Sequence, residues 1–81
     1  MQAKETLLSQ SIRSVIKENL SEKTLQKIES RLSEKHQMPI PLKVDEFSKL
    51  DDVLREYFGA GAEKLEKRII ARMLSLEKVQ N

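Results

Sequence analysis

Four cations, Lys23, Lys27, Arg31 and Lys35, recur at every fourth position, a spacing that aligns them as one ridge along a helix. Such a row can follow a nucleic-acid backbone, because each neutralised phosphate releases counterions and several in register give salt-dependent affinity. A second row, Lys64, Arg68 and Arg72, repeats the spacing nearer the carboxyl end. The surrounding residues favour a solvated or protein-binding face instead. Glu34 sits inside the first ridge, Glu22 and Glu29 occupy the opposite flank, and no Asn or Gln accompanies the cations in a pattern that reads base edges. Convergence of the two rows in space would favour an anionic partner.

Glu66 holds a position that needs a reason. Counted from Ala62 at about 100° per residue, it falls near 40°, between Met73 at about 20° and Ile70 at about 80°, so a carboxylate occupies the middle of an apolar face. A buried carboxylate without partners costs several kcal/mol. The pattern predicts a hydrogen bond from Tyr57, from a Lys or Arg, or from free amides at a helix start, or else an edge position where the head reaches water. With a partner, Glu66 would act as a specificity device fixing how two subunits meet.

Other candidates for chemistry are thin. Gly59-Ala60-Gly61-Ala62 precedes a helix whose free amides could hold a phosphate. A dinucleotide fingerprint needs a strand before its glycines, however, and here a helix precedes them, which favours a tight helix-to-helix connection. The same glycine resembles the turn of a helix-turn-helix, but the helix after it has the widest apolar face in the chain and would leave little surface for a groove. His36 is the only histidine and closes a helix, where an imidazole suits the negative pole of the macrodipole. Without a second His or any Cys it predicts no metal site. The serines lack a nucleophile motif. Asp45, Glu46, Asp51, Asp52 and Glu56 form an acidic stretch without calcium-loop spacing, a face either solvated or docked on a basic row. The residues therefore predict no enzyme, no cofactor, no metal and no small-molecule substrate.

The elements that would position these groups are helical. Leu7, Leu8, Ile12, Val15, Ile16 and Leu20 predict a helix over 4–20, and Leu25, Ile28 and Leu32 a second over 22–36. The apolar centre turns from about 50° in the first to about 280° in the second, so one straight helix would bury two different sides. A break is expected at Asn19–Glu22, with Asn19 and Glu22 as a capping box or Ser21 as the N-cap. Pro39 and Pro41 make 37–43 an extended connector that packs through Ile40 and Leu42. Asp45, or Ser48 with Asp51, would cap a third helix over 46–58, ended by Gly59 in a left-handed conformation. The fourth helix, 62–78, spreads its apolar residues over about 180°, more than one neighbour covers, and residues 79–81 should fray.

Composition agrees. Ala, Glu, Lys, Leu and Arg supply 40 of 81 residues, the proportion of long amphipathic helices. Leu, Ile, Val and Phe number 23, enough to fold as one small all-α domain spanning 1–81, yet the core of so short a chain is thin and self-association would help it. Ile70 and Leu74 are the expected contacts of a homodimer. The net charge of +2 hides a −2 segment at 43–58 between +2 segments at 1–36 and 59–81, so complementary segments can pack or associate. Met1–Glu5 lacks a basic leader and no apolar run approaches a membrane span, which predicts a cytoplasmic protein with no membrane partner.

Phe47, Leu50 and Leu54, followed by Phe58-Gly59-x-Gly61-Ala62-x-x-x-Glu66-x-x-Ile69, resemble the carboxyl half of a small helical domain of archaeal proteins known as a Nitrososphaera output domain, and Asn19–Leu32 is also similar. The resemblance covers residues 19–74, and its distinctive part is the Gly-x-Gly-Ala step with Glu66. It implies an archaeal cytoplasmic origin and an output or adaptor role in signalling or regulation, here without a receiver or sensor region, and it brings no catalytic residues. The expected function is a dimeric interaction module docking a regulatory protein. The alternative is a small nucleic-acid-binding regulator that uses the two basic rows.

Overall fold

The computed structural model describes residues 6–79. It contains four α-helices, α1 (Leu7–Asn19), α2 (Glu22–His36), α3 (Phe47–Phe58) and α4 (Gly61–Val79), with a 3-10 turn at Val44–Glu46 leading into α3. No strand occurs among the described residues, so the all-α expectation holds with four helices close to the expected bounds. Residues 4 and 5 of the first predicted helix, and Gln80 and Asn81 of the predicted fraying end, lie outside the described residues.

Short side chains set the helix ends. Thr6 caps α1 reciprocally: Ser9 N donates to Thr6 Oγ1 at 3.2 Å and Thr6 N donates to Ser9 Oγ at 3.0 Å. The break between the first two helices falls at Leu20–Ser21, where Thr24 N donates to Ser21 Oγ at 3.1 Å. The alternative Asn19 capping box does not form, because Asn19 is still helical and its Nδ2 donates to Val15 O at 2.8 Å. Gln37 ends α2 with φ 54° and ψ 45°, its amide on Ser33 O, and Pro39 prevents any continuation. Neither Asp45 nor Ser48 caps α3. No side chain caps α3; Glu46 instead closes the 3-10 turn that leads into it, its Oε1 accepting from Leu42 N at 3.1 Å and Lys43 N at 3.4 Å.

Gly59 joins α3 to α4 with φ 57° and ψ −127°. The positive φ was expected, but this ψ lies far from the left-handed helical value and in a region that glycine alone occupies readily.

The helices close into a ring. Each packs on the next, and α4 returns to α1 in the broadest contact. The core comprises Leu8, Ile12, Val15 and Ile16 of α1, Leu25, Ile28 and Leu32 of α2, Leu50, Val53 and Leu54 of α3, and Ala62, Leu65 and Ile69 of α4. Full burial of each large member stabilises by about 1.5–3 kcal/mol. The connector adds Ile40 and Pro41, whereas Leu42, expected inside, is 38 % exposed. The ring does not use all of α4's apolar arc, for Ile70 is 44 % and Leu74 51 % exposed. No helix among the described residues is long and apolar enough to cross a membrane.

Candidate functional site

Both basic rows run along seams between helices, and the seams differ. On α2, Arg31 Nε donates to Glu56 Oε1 at 2.9 Å, Lys35 bonds both Glu56 and Asp52, the latter at 2.8 Å, and His36 Nε2 lies 2.9 Å from Asp52 Oδ2. Asp52 and Glu56 belong to α3, one turn apart, and thus match the one-turn spacing of Arg31 and Lys35 on the antiparallel helix. Hydrogen bonds from Arg31 and Lys35 hold the Glu56 carboxyl at about 2. Lys35, and after it His36, lower Asp52, while Asp52 and Glu56 raise Lys35. His36 therefore closes the α2–α3 seam rather than acting on its helix end alone.

On α4, Arg72 grips Glu18 of α1 with two nitrogens at 3.0 and 2.6 Å, and Arg68 donates to Asn19 Oδ1. The Arg72 guanidinium lowers the Glu18 carboxyl. The rows therefore serve different helix pairs, the first turned toward α3 and the second toward α1. Charge reversal at Arg31 would bring a third carboxylate to Glu34 and Glu56.

What remains of the first row is its amino-terminal half. Lys23 and Lys27 are exposed and, with Gln26, Ser30, Arg31, Glu34 and Tyr57, line an open depression of about 570 Å³. Tyr57 is 46 % exposed there and makes no bond to Glu66. Of the second row, only Arg72 is paired with a carboxylate; Arg68 bonds a neutral amide, and Lys64 makes no ion pair among the described residues.

Glu66 stands at the α3–α4 seam, half-buried, with Oε2 sealed from solvent and lacking a hydrogen-bond partner. Its neighbour is none of the three expected donors; it is Asp51, another carboxyl, one position before the residue that serves the α2 seam. Arg55 Nε donates to both Asp51 oxygens at 2.8 and 3.1 Å. Burial raises Glu66 to about 7 and the Asp51 charge pushes the same way, while Glu66 as donor lowers Asp51. Below neutrality, therefore, the proton of the pair sits on Glu66 and the charge on Asp51. One turn farther along α4 stand Ile70 and then Leu74, the exposed apolar pair.

The acidic partners Glu18, Asp52 and Glu56 carried little signal individually. The paired one-turn spacings of Asp52/Glu56 and Arg31/Lys35 are the feature that brings them together, through the reading of α3 as an acidic face docked on a basic row. No group of His, Cys, Asp and Glu suited to a metal ion occurs among the described residues. With this geometry in hand, comparison with family models, curated proteins and solved structures finds no match for the chain.

Proposed function

We propose that this chain is a non-enzymatic interaction module that docks on a second copy of itself, and on a regulatory protein, through the free flank of α4. The observation that carries the reading is the exposure of Ile70 and Leu74 on successive turns of the longest helix, where the ring leaves about half of each apolar side chain uncovered. The likeness of the Phe-Gly-x-Gly-Ala-x-x-x-Glu step to a Nitrososphaera output domain supports an output or adaptor role in archaeal cytoplasmic signalling. Light scattering over a concentration series tests it. The wild type should approach twice its 9.4 kDa chain mass, and Ile70→Glu with Leu74→Glu should return it to the monomer while keeping its helical circular dichroism. A wild type that stays monomeric throughout defeats the dimer.

The nucleic-acid alternative draws less support, since Arg31, Lys35 and Arg72 are paired with carboxylates of the neighbouring helices. Binding to duplex DNA that falls steeply between about 50 and about 200 mM salt would reinstate it.

A further inference from the structure

The α3–α4 hairpin brings two carboxyl groups together where the neighbouring seams bring opposite charges together. Glu66 projects from α4 between the buried Leu65 and Ile69 and the exposed Ile70. Its Oε2 is closed off from water with no donor, and no cation bonds it among the described residues. Asp51 on α3 is clamped by Arg55, whose guanidinium keeps it an acceptor. The charges that bear on Glu66 are Asp51 and Arg55 from α3 and Glu63 from its own helix. On the flank toward α1, Arg68 and Arg72 are turned away to Asn19 and Glu18. Two ionised carboxylates cannot share this contact without repulsion, whereas one protonated carboxyl donating to one carboxylate makes a strong hydrogen bond.

We propose that the α3–α4 seam is a proton-controlled joint, closed by a hydrogen bond from the Glu66 carboxyl to the Asp51 carboxylate and loosened when that proton is lost. The raised value of about 7 for Glu66 places the change near neutrality. Its sign follows from linkage. The folded chain holds the proton more tightly than the unfolded chain, whose Glu66 titrates near 4.5, so the joint's contribution is complete below about 4.5 and is lost as pH rises through about 7. Loosening acts on the first turns of α4, where Ala62, Leu65 and Ile69 enter the core. It requires no partner and stands whether or not Ile70 and Leu74 dock on anything.

Carboxyl carbon NMR of the full chain, titrated from about pH 4 to about pH 9, reads the proton on Glu66 directly. Amide exchange over 62–70 and thermal melts at about pH 5.5 and about pH 8.5 read the joint. An inflection for Glu66 near neutrality is expected, with faster exchange of these amides and a melting point lower by several degrees on the alkaline side. Glu66→Gln should remove both differences. Asp51→Asn should move the Glu66 inflection down toward the ordinary carboxyl range, because the like charge has gone. An inflection near 4.5 in the wild type, or a Glu66→Gln chain that keeps the full alkaline loss, overturns the proposal. Should either variant fail to fold, the wild-type titration decides the matter alone.

Discussion

Helix α3 meets its two charged neighbours in opposite ways. Toward α2 it offers Asp52 and Glu56 to Arg31, Lys35 and His36, and every carboxylate finds a cation. Toward α4 it offers Asp51, and what it finds is Glu66. Asp51 and Asp52 are consecutive, so about 100° of helical rotation is all that sends one to a saturated seam and the other to a like-charged one. The side-chain chemistry is the same; the difference lies in what the facing helix presents. At one seam every carboxylate is paired with a cation, and at the other the two carboxyls can hydrogen-bond only while one of them holds a proton.

The comparison concerns charge, yet apolar contact holds both seams. Leu54, fully buried on α3, touches the core that both share. Leu54→Ala should cost about 2–5 kcal/mol by denaturant melts, more than any single charge variant at either seam. A smaller loss than Glu56→Gln gives would mean that the ion pairs dominate. The next largest effect should come from the hinge of the α3–α4 pair. A Cβ at Gly59 meets no atom within 4 Å, so Gly59→Ala is penalised by its backbone angles alone, at about 1–3 kcal/mol. Gly61→Ala is the control, since its Cβ meets Phe58 Cβ at an ordinary 3.6 Å and its φ is not strained. It should leave stability unchanged or raise it by a few tenths of a kcal/mol, as helix propensity favours Ala.

Much of this was legible in the residues. The 3.6-residue periodicity located all four helices, and the shift of apolar phase near Asn19–Glu22 located the first break. Local capping was harder to read, because Asn19, Ser21, Asp45 and Ser48 all have suitable side chains and only the path of the chain selects among them. The basic rows were visible as rows, but their neighbours were not. A four-residue spacing says which side chains share a face and is silent on which helix that face meets, so Glu18 and Glu56 could not be assigned to Arg72 and Arg31. Glu66 was singled out by its place among apolar residues, yet its partner could not be foreseen, since a search for complementary groups passes over a second carboxyl.

Replacing Glu66 with an apolar residue sharpens the contrast. Glu66→Leu removes the closed-off oxygen and the repulsion, and should stabilise the chain at about pH 8 by on the order of 1 kcal/mol, as buried charged groups often yield to well-packed apolar ones. The gain should shrink at about pH 5, where the wild-type carboxyl is protonated and makes its hydrogen bond. Thermal melts at the two pH values check it. An equal gain at both would mean that packing, and not the proton, sets the cost of Glu66.

The smallest effect belongs to the saturated seam, whose pairs are about one-third exposed and screened by solvent. Glu56 titrates near 2 in the folded chain against 4.5 in the unfolded one, so its contribution is complete above about 4.5 and is lost as pH falls toward about 2. Asp52, also lowered, acts in the same direction. Glu66 has the opposite sign, its contribution vanishing as pH rises from about 4.5 through about 7. A plot of melting temperature against pH should therefore fall on both sides of a maximum in the mildly acidic range, the neutral arm belonging to Glu66 and the acid arm to Glu56 and Asp52 together with the also lowered Asp51 and Glu18. Glu56→Gln should flatten part of the acid arm and leave the neutral arm as it was; Glu66→Gln should do the reverse. Salt at about 1 M should weaken the acid arm further, because screening acts on exposed pairs and much less on a partly buried carboxyl. If either variant flattens both arms, the two faces of α3 are electrostatically one, and the division between them is not physical.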